Sequence, residues 1–318
     1  MKKLSFFLCS ALVVLGGAVS CEKEETVVDF PTVGPLTFSG TYDTYLHGKQ
    51  GWIAEDKLGI FVTSDGVTQS NLEYAPVEVC VPEIMELEGK TYVIYPNNKD
   101  KWVLTTTFKP LGEVAGFKKG DHNVYAYTPY DAANADYKAI KLPYSAVQEY
   151  NSTIFSADNK YSFAYSKLPE PLKELQTEAI SLGNFVSPYV AMTIPTPTLG
   201  EAFKAGQKVT KVVISSDIDI AVVDASINLE TAVISGNLSK SIELTFPEGP
   251  FELKYNEWMK AAYMETLYLS ICADEDEAQK AEYTLTYTID GKEYTTKGKP
   301  STAYIVKGNI NLSGLVLE

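Results

Sequence analysis

Short runs of β-branched and aromatic residues, broken at close intervals by Pro, Gly, Asn or Asp, commit this chain of 318 residues to building sheets. In the first half the runs are Leu58 to Val62, Val77 to Val81, Thr91 to Tyr95, Trp102 to Phe108 and Asn123 to Tyr127. In the second half they are Tyr189 to Ile194, Lys211 to Ser215, Ile218 to Val223, Ile242 to Phe246, Leu267 to Ile271, Tyr283 to Ile289, Tyr294 to Lys297, Ala303 to Val306 and Ile310 to Leu317. Asp290-Gly291 between two alternating runs is a hairpin signal. The Pro pair in Leu168 to Lys173 is poor strand material and reads as a linker or a helix start. One helix is expected from Asn256 to Glu265. There Trp258/Ala262 and Met259/Tyr263 are spaced i, i+4, and Asn256 can cap. The halves share length and texture without a clean repeat. The expectation is an all-β protein of two β-sandwich domains with one or two short helices.

The first residues belong to export rather than to the fold. Lys2 and Lys3 precede an apolar run from Leu4 to Leu15, too short for a mature membrane helix, and Gly16-Gly17 break it. Ala18-Val19-Ser20 place small or β-branched residues directly before Cys21. This stretch resembles a bacterial lipoprotein signal, with Ala18 standing where Leu is usual. The resemblance implies cleavage between Ser20 and Cys21 and acylation of the Cys21 thiol. Glu22-Lys23-Glu24-Glu25 resembles the export signal of surface lipoproteins in gut and oral anaerobes. That implies display on the outer face of the outer membrane.

Charge narrows the partners. The chain has 41 acidic residues against 27 lysines and no arginine, for a net charge of −14. Nucleic-acid binding needs a basic footprint, and this balance is the opposite. Anionic membrane surfaces are equally poor partners for the globular part. Four cysteines occur, of which Cys80 and Cys272 lie far apart in apolar, strand-like runs. An oxidising compartment permits a disulfide between them. Two buried free thiols is the preferred reading.

The usual catalytic signatures are missing. His47 and His122 are the only histidines, and no His-x-x-x-His or Cys-x-x-Cys spacing exists, so no metal is expected. There is no Gly-x-Ser-x-Gly elbow, no Walker loop and no Gly-x-Gly-x-x-Gly, so no cofactor is expected. Asp274 to Glu277 lacks the alternation and Gly of a calcium loop and reads as a solvated loop. A glycosidase-type carboxylate pair is the one enzymatic device that the sequence leaves open. The 21 tyrosines read mainly as strand residues covering a core, with exposed ones available to stack on sugars or to serve a protein interface.

Four segments together resemble the fimbrillin family, pilus subunits made as lipoproteins by gut and oral anaerobes. They are Gly51 to Val62, with its Trp52, acidic pair and Gly-hydrophobic-aromatic strand; Tyr125-Ala126-Tyr127-Thr128-Pro129-Tyr130; Ile140-Lys141-Leu142-Pro143 with Gln148; and Ala303 to Leu317. The resemblance implies two transthyretin-like β-sandwiches. Residues 1–20 would be the signal, 21–35 the lipidated Cys and tether, 36–176 the first sandwich and 177–318 the second. It also implies donor-strand exchange with other fimbrial subunits, a form of β-augmentation. Leu36 to Ser39 would be the strand removed by proteolysis. The donor candidate would present Ile310, Leu312, Leu315 and Leu317, its alternation interrupted by Gly314. Processing in the family usually follows Arg, and Lys49 is the nearest substitute here. An unprocessed chain would suit an anchor or tip. The competing expectation is a glycan-binding surface lipoprotein of a polysaccharide uptake system, using Trp52 or Trp102.

Overall fold

A computed structural model describes residues 36–42, 51–64, 67–81, 83–87, 90–94, 102–112, 121–149, 163–172, 178–246, 249–301 and 309–318. In chain order the first half carries β1 (Phe38–Thr41), β2 (Leu58–Ser64), β3 (Val67–Pro76), β4 (Glu83–Leu87), β5 (Lys90–Ile94), β6 (Thr105–Pro110), β7 (Asn123–Thr128), β8 (Ile140–Lys141), β9 (Val147–Glu149), β10 (Ala164–Lys167) and β11 (Ile180–Asn184). The second half carries β12 (Val190–Ile194), β13 (Thr198–Leu199), β14 (Lys208–Ser216), β15 (Ala221–Asn228), β16 (Val233–Ser239), β17 (Ser241–Thr245), β18 (Phe251–Glu252), β19 (Lys254–Asn256), β20 (Ala261–Tyr263), β21 (Leu267–Ile271), α1 (Glu275–Ala278), β22 (Tyr283–Ile289), β23 (Lys292–Pro300), β24 (Asn309–Ser313) and β25 (Val316–Leu317). The fold is all-β, as the punctuated runs predict.

A seven-stranded sheet, in the order β10-β7-β2-β3-β6-β1-β11, organises the first half. Its two ends meet. Tyr165 and Val186 exchange backbone hydrogen bonds of 2.9 Å, and Ser166 Oγ donates to the Leu182 carbonyl. The sheet is therefore barrel-like. Side chains alternate across it, with Phe38, Leu58, Ile60, Val62, Phe108, Val124, Ala126, Ile180 and Leu182 filling the interior. Phe61, Tyr125 and Tyr127 point the other way and join the core of the second half.

The second half follows the same plan. One sheet runs β21-β12-β24-β23-β22-β14-β17-β9, with β18 pairing β14. Its terminal strands are linked by a side chain. Buried Gln148 on β9 donates to the Ser270 carbonyl at 2.6 Å and accepts from the Ser270 N–H at 3.1 Å, so its amide imitates a strand on the edge of β21. Tyr144 hydroxyl donates within reach of the Ile220 and Ser270 carbonyls. Residues 140–149 thus form a strap across the halves: β8 pairs β15, β9 pairs β17, and Ile140 and Leu142 are buried in the second core. In the opposite sense, β11 pairs parallel with β1, so residues 180–184 belong by hydrogen bonding to the first sheet.

Asp290 and Gly291 both take positive φ (48° and 76°) between β22 and β23, the tight hairpin that this dipeptide signals. Residues 256–265 are not the expected helix. They belong to a hairpin in which β19 pairs β20, and Lys260 turns the chain at φ 52°. The capping signal was real, because Asn256 Oδ1 accepts from the Trp258 and Met259 amides, but it caps a turn. The one helix among the described residues, α1, forms in the acidic run Asp274 to Glu277, where the sequence predicts a solvated loop. Asp274 caps it by accepting from the Asp276 and Glu277 amides, and three carboxylates sit in its first turn. Val77 to Val81 lies beyond β3, which ends at Pro76, and Ala303 to Val306 lies outside the described residues. Cys80 and Cys272 are free and buried.

Two outcomes follow from this packing. Gln148→Leu leaves the Ser270 N–H buried without a partner and the Ser270 C=O with the Tyr144 hydroxyl alone, and should lower stability by about 1–3 kcal/mol in denaturant unfolding. Alkali should also unfold the protein. Burial raises the Tyr74, Tyr283 and Tyr287 hydroxyls far above the usual tyrosine range. Tyr125 is pushed up to about 12 by burial, with Glu230 and Tyr137 adding to it. Unfolded tyrosine ionises near pH ~10. These groups therefore stabilise the fold fully below that pH, and the contribution is lost as pH rises toward the folded values. Tyrosinate absorbance should show a class that ionises only together with loss of the fold.

Candidate functional site

The place occupied by β1 is the most distinctive feature of the first sheet. β1 is four residues long and hydrogen-bonded on both sides, antiparallel to β6 and parallel to β11. The register sets Phe38 opposite both Phe108 and Ile180. The ladders extend at each end: the Ile180 amide donates to the Thr37 carbonyl, the Phe185 amide to the Thr41 carbonyl, and the Tyr42 amide to the Leu104 carbonyl. Burial alternates without a break from Leu36 through Phe38 and Gly40 to Tyr42, with 37, 39 and 41 half-exposed.

An aromatic cage receives the inward side chains. Trp52 is fully buried, its ring 4.9 Å from Phe108 and 5.2 Å from each of Tyr42 and Phe185, all edge-to-face. Phe38 meets Tyr74 edge-to-face at 5.3 Å. The Trp52 indole N–H donates to the Gly40 carbonyl at 3.1 Å. At Gly40 a Cβ would come within 2.7 Å of Phe185 Cε2 and 3.5 Å of Phe108 Cε2. Only glycine fits at that inward position. Without β1 the molecule would carry an apolar slot bordered by two strands with unpaired edges. Beyond β11 lies a groove of about 610 Å³ along the β10–β11 seam, lined by Tyr165, Ser166, Leu182, Asn184 and Val186.

The donor candidates belong to other sheets, on β24, β25 and the turn between them. Ile310, Leu312, Leu315 and Leu317 are all buried in their own sheets. β24 lies parallel to β12 and antiparallel to β23, and β25 pairs β13. Gly314, at φ 77°, shifts the alternation by one residue between β24 and β25.

Ser20, Cys21, His47 and Lys49 lie outside the described residues. Trp52 is no sugar platform: the cage around it leaves no exposed face, which corrects that expectation. The exposed indole is Trp258, at the tip of the β19–β20 hairpin and 96% accessible. Burial raises the Cys80 thiol, and pushes the Cys272 thiol up to about 11, so both stay protonated and unreactive near neutral pH. Among the described residues no three His, Cys, Asp or Glu side chains converge as a metal site, and no helix is long and apolar enough to cross a membrane. Sequence reasoning missed Phe185 and the size limit at Gly40. The visible signal was a glycine in the third apolar-facing place of an otherwise bulky alternation.

The chain is similar to crystal structures of a candidate cell adhesion protein from Bacteroides uniformis (15% identity, 90% of this chain and 96% of that one, TM-score 0.44), a fimbrial assembly protein from Parabacteroides distasonis (15%, 88% and 91%, 0.38) and a fimbrial protein from Bacteroides vulgatus (11%, 87% and 91%, 0.33). No family model and no curated protein matches it.

Trp52 and Trp258 should separate cleanly on substitution. Trp52→Ala empties the cage and should lower stability by about 3–5 kcal/mol. Trp258→Ala should stay within about 0.5 kcal/mol of the parent in the same unfolding measurement.

Proposed function

We propose that this protein is a structural or adhesive subunit of cell-surface fimbriae, exported as a lipoprotein through Cys21 and assembled by donor-strand exchange. The observation that carries this reading is the β1 slot: a short strand, paired on both edges, whose removal would leave an aromatic-lined groove open at two strand edges. The resemblance of four segments to fimbrillins supports it, as does a very acidic chain bare of catalytic motifs. The division into two transthyretin-like units suits the task. The first, residues 36–176 extended by β11, holds the slot, and the second, up to residue 318, holds the donor strand. The partners would be other fimbrial subunits, and the outer membrane through the lipid. The role is structural, not enzymatic.

Removal of β1 requires a cut between Tyr42 and Gly51, and Lys49 is the basic residue available there. Protein recovered from assembled fibres should therefore begin near Gln50, and deletion of residues 308–318 should abolish detergent-resistant high-mass ladders. Mass spectrometry finding acylated Cys21 throughout the fibre would overturn proteolytic release for stalk subunits and leave an anchor. A second reading, a glycan-binding surface lipoprotein, draws on the bare indole of Trp258. Saturable binding on a glycan array, lost in Trp258→Ala, would favour it.

A further inference from the structure

The two chain segments concerned carry matching sequences. Leu36-Thr37-Phe38-Ser39-Gly40-Thr41-Tyr42 aligns without a gap to Ile310-Asn311-Leu312-Ser313-Gly314-Leu315-Val316. Both read apolar, polar, apolar, Ser, Gly, and both end on an apolar side chain in the seventh place. Their neighbours are of the same kinds. β1 lies between a parallel neighbour, β11, and an antiparallel one, β6. β24 likewise lies between parallel β12 and antiparallel β23. The sides are exchanged, because the Thr37 carbonyl accepts from Ile180 on the parallel side and the Asn311 carbonyl from Ser301 on the antiparallel side. An extended strand that runs the way of β1 with the same positions inward offers the same N–H and C=O groups to β6 and β11 whatever its former neighbours.

Gly314 makes the match conditional. In its own sheet it takes φ 77°, so the buried set is 310, 312, 315 and 317, and Val316 is left 46% exposed. Extended, the same segment would present 310, 312, 314 and 316 on one face. That is the phase of Leu36, Phe38, Gly40 and Tyr42. Glycine adopts both conformations without a steric penalty, and Val316, apolar yet exposed in the first arrangement, turns inward in the second.

Resting on the donor-strand reading above, we infer that β24 of one copy fills the β1 slot of the next in a single register. Ile310, Leu312, Gly314 and Val316 take the places of Leu36, Phe38, Gly40 and Tyr42. Phe185 acts as a size gate that admits only glycine at the third inward position. The gate is rigid because the Phe185 ring is packed edge-to-face against Trp52. A side chain there would have to displace ring carbon 2.7 Å from its Cβ. A donor slipped by two residues brings Leu312 or Val316 to the gate and is refused.

The test is disulfide capture in the full chain with Cys21→Ser and a specific protease site replacing residues 44–49, cleaved to free β1. In the inferred register Ser313 of the donor replaces Ser39, which sits opposite Thr107. Within its own copy Ser313 sits opposite Lys299, so a bond to position 107 requires a second molecule. Thr107→Cys with Ser313→Cys should give intermolecular ladders after cleavage. Thr105→Cys, opposite Thr41 and thus displaced by two residues, should not. Gly314→Asn is the second variant. Asn tolerates the left-handed backbone better than other side chains, and nothing lies within 4 Å of a Cβ there, so the subunit's own fold should survive with thermal unfolding lowered only slightly. Its ladder yield should fall about tenfold or more, from overpacking against Phe185. Capture at position 105, or ladders indifferent to Gly314→Asn, would overturn the register and the gate while leaving strand exchange intact. Absence of any intermolecular bond at either position would overturn strand exchange itself.

Discussion

An open strand edge is the liability that the whole molecule is built to close. Each half is a long sheet whose ends would otherwise expose unpaired N–H and C=O groups. The first is closed by the Tyr165–Val186 bridge and by Ser166 Oγ on the Leu182 carbonyl. The second is closed by the Gln148 amide standing in for a strand beside Ser270. Neither closure is a full ladder. Inner strands are paired along both edges, while each seam depends on a few bonds. Departure of β1 would leave two edges to be covered again, and β1, at four residues, is among the shortest of the strands paired on both sides.

The halves are not independent in chemical detail. The strap from Ile140 to Glu149 carries apolar side chains of the first half into the second core, and Phe61, Tyr125 and Tyr127 extend that core through the first sheet. Tyr127 also fixes the loop after β7, since its hydroxyl lies within hydrogen-bond reach of Asn71, Asp131 and Asn134. Tyrosine does two jobs in this region. Its ring fills core, and its hydroxyl ties a loop that has no strand to pair with. Tyr283 repeats that use, its ring buried and its hydroxyl donating to the Ala278 carbonyl.

Local signals were legible in the sequence, and long-range ones were not. Alternation in Tyr283 to Ile289 and the Asp290-Gly291 turn are properties of a few adjacent residues, and the structure follows them. The i, i+4 pairs at 258–263 misled, because ten residues of strand, turn and strand can mimic two helical turns, and the cap at Asn256 serves either. The helix at Asp274 was missed because its face has one buried residue, Ala278, and so no apolar stripe. Trp52 was misjudged for another reason: burial of a single aromatic is decided by Tyr42, Phe108 and Phe185, which lie up to 133 residues away along the chain. The parallel pairing of β1 with β11 leaves no trace in either segment alone.

The relation between β1 and β24 lies between these extremes. Both segments are local and readable, yet their likeness means little until the sheet shows each between one parallel and one antiparallel neighbour. An apolar alternation by itself describes most strands of this protein. A glycine placed third in it, facing a ring fixed from behind by an indole, is a demand few strands can meet. Of the segments that carry such a glycine, β1 occupies the slot. β24 sits in its own sheet with Gly314 turned to φ 77°, which puts it out of phase for the slot until the strand straightens. The same glycine therefore sets both the fit and the resting state, and a strand that must change conformation before it fits is held back from pairing while its own sheet is intact.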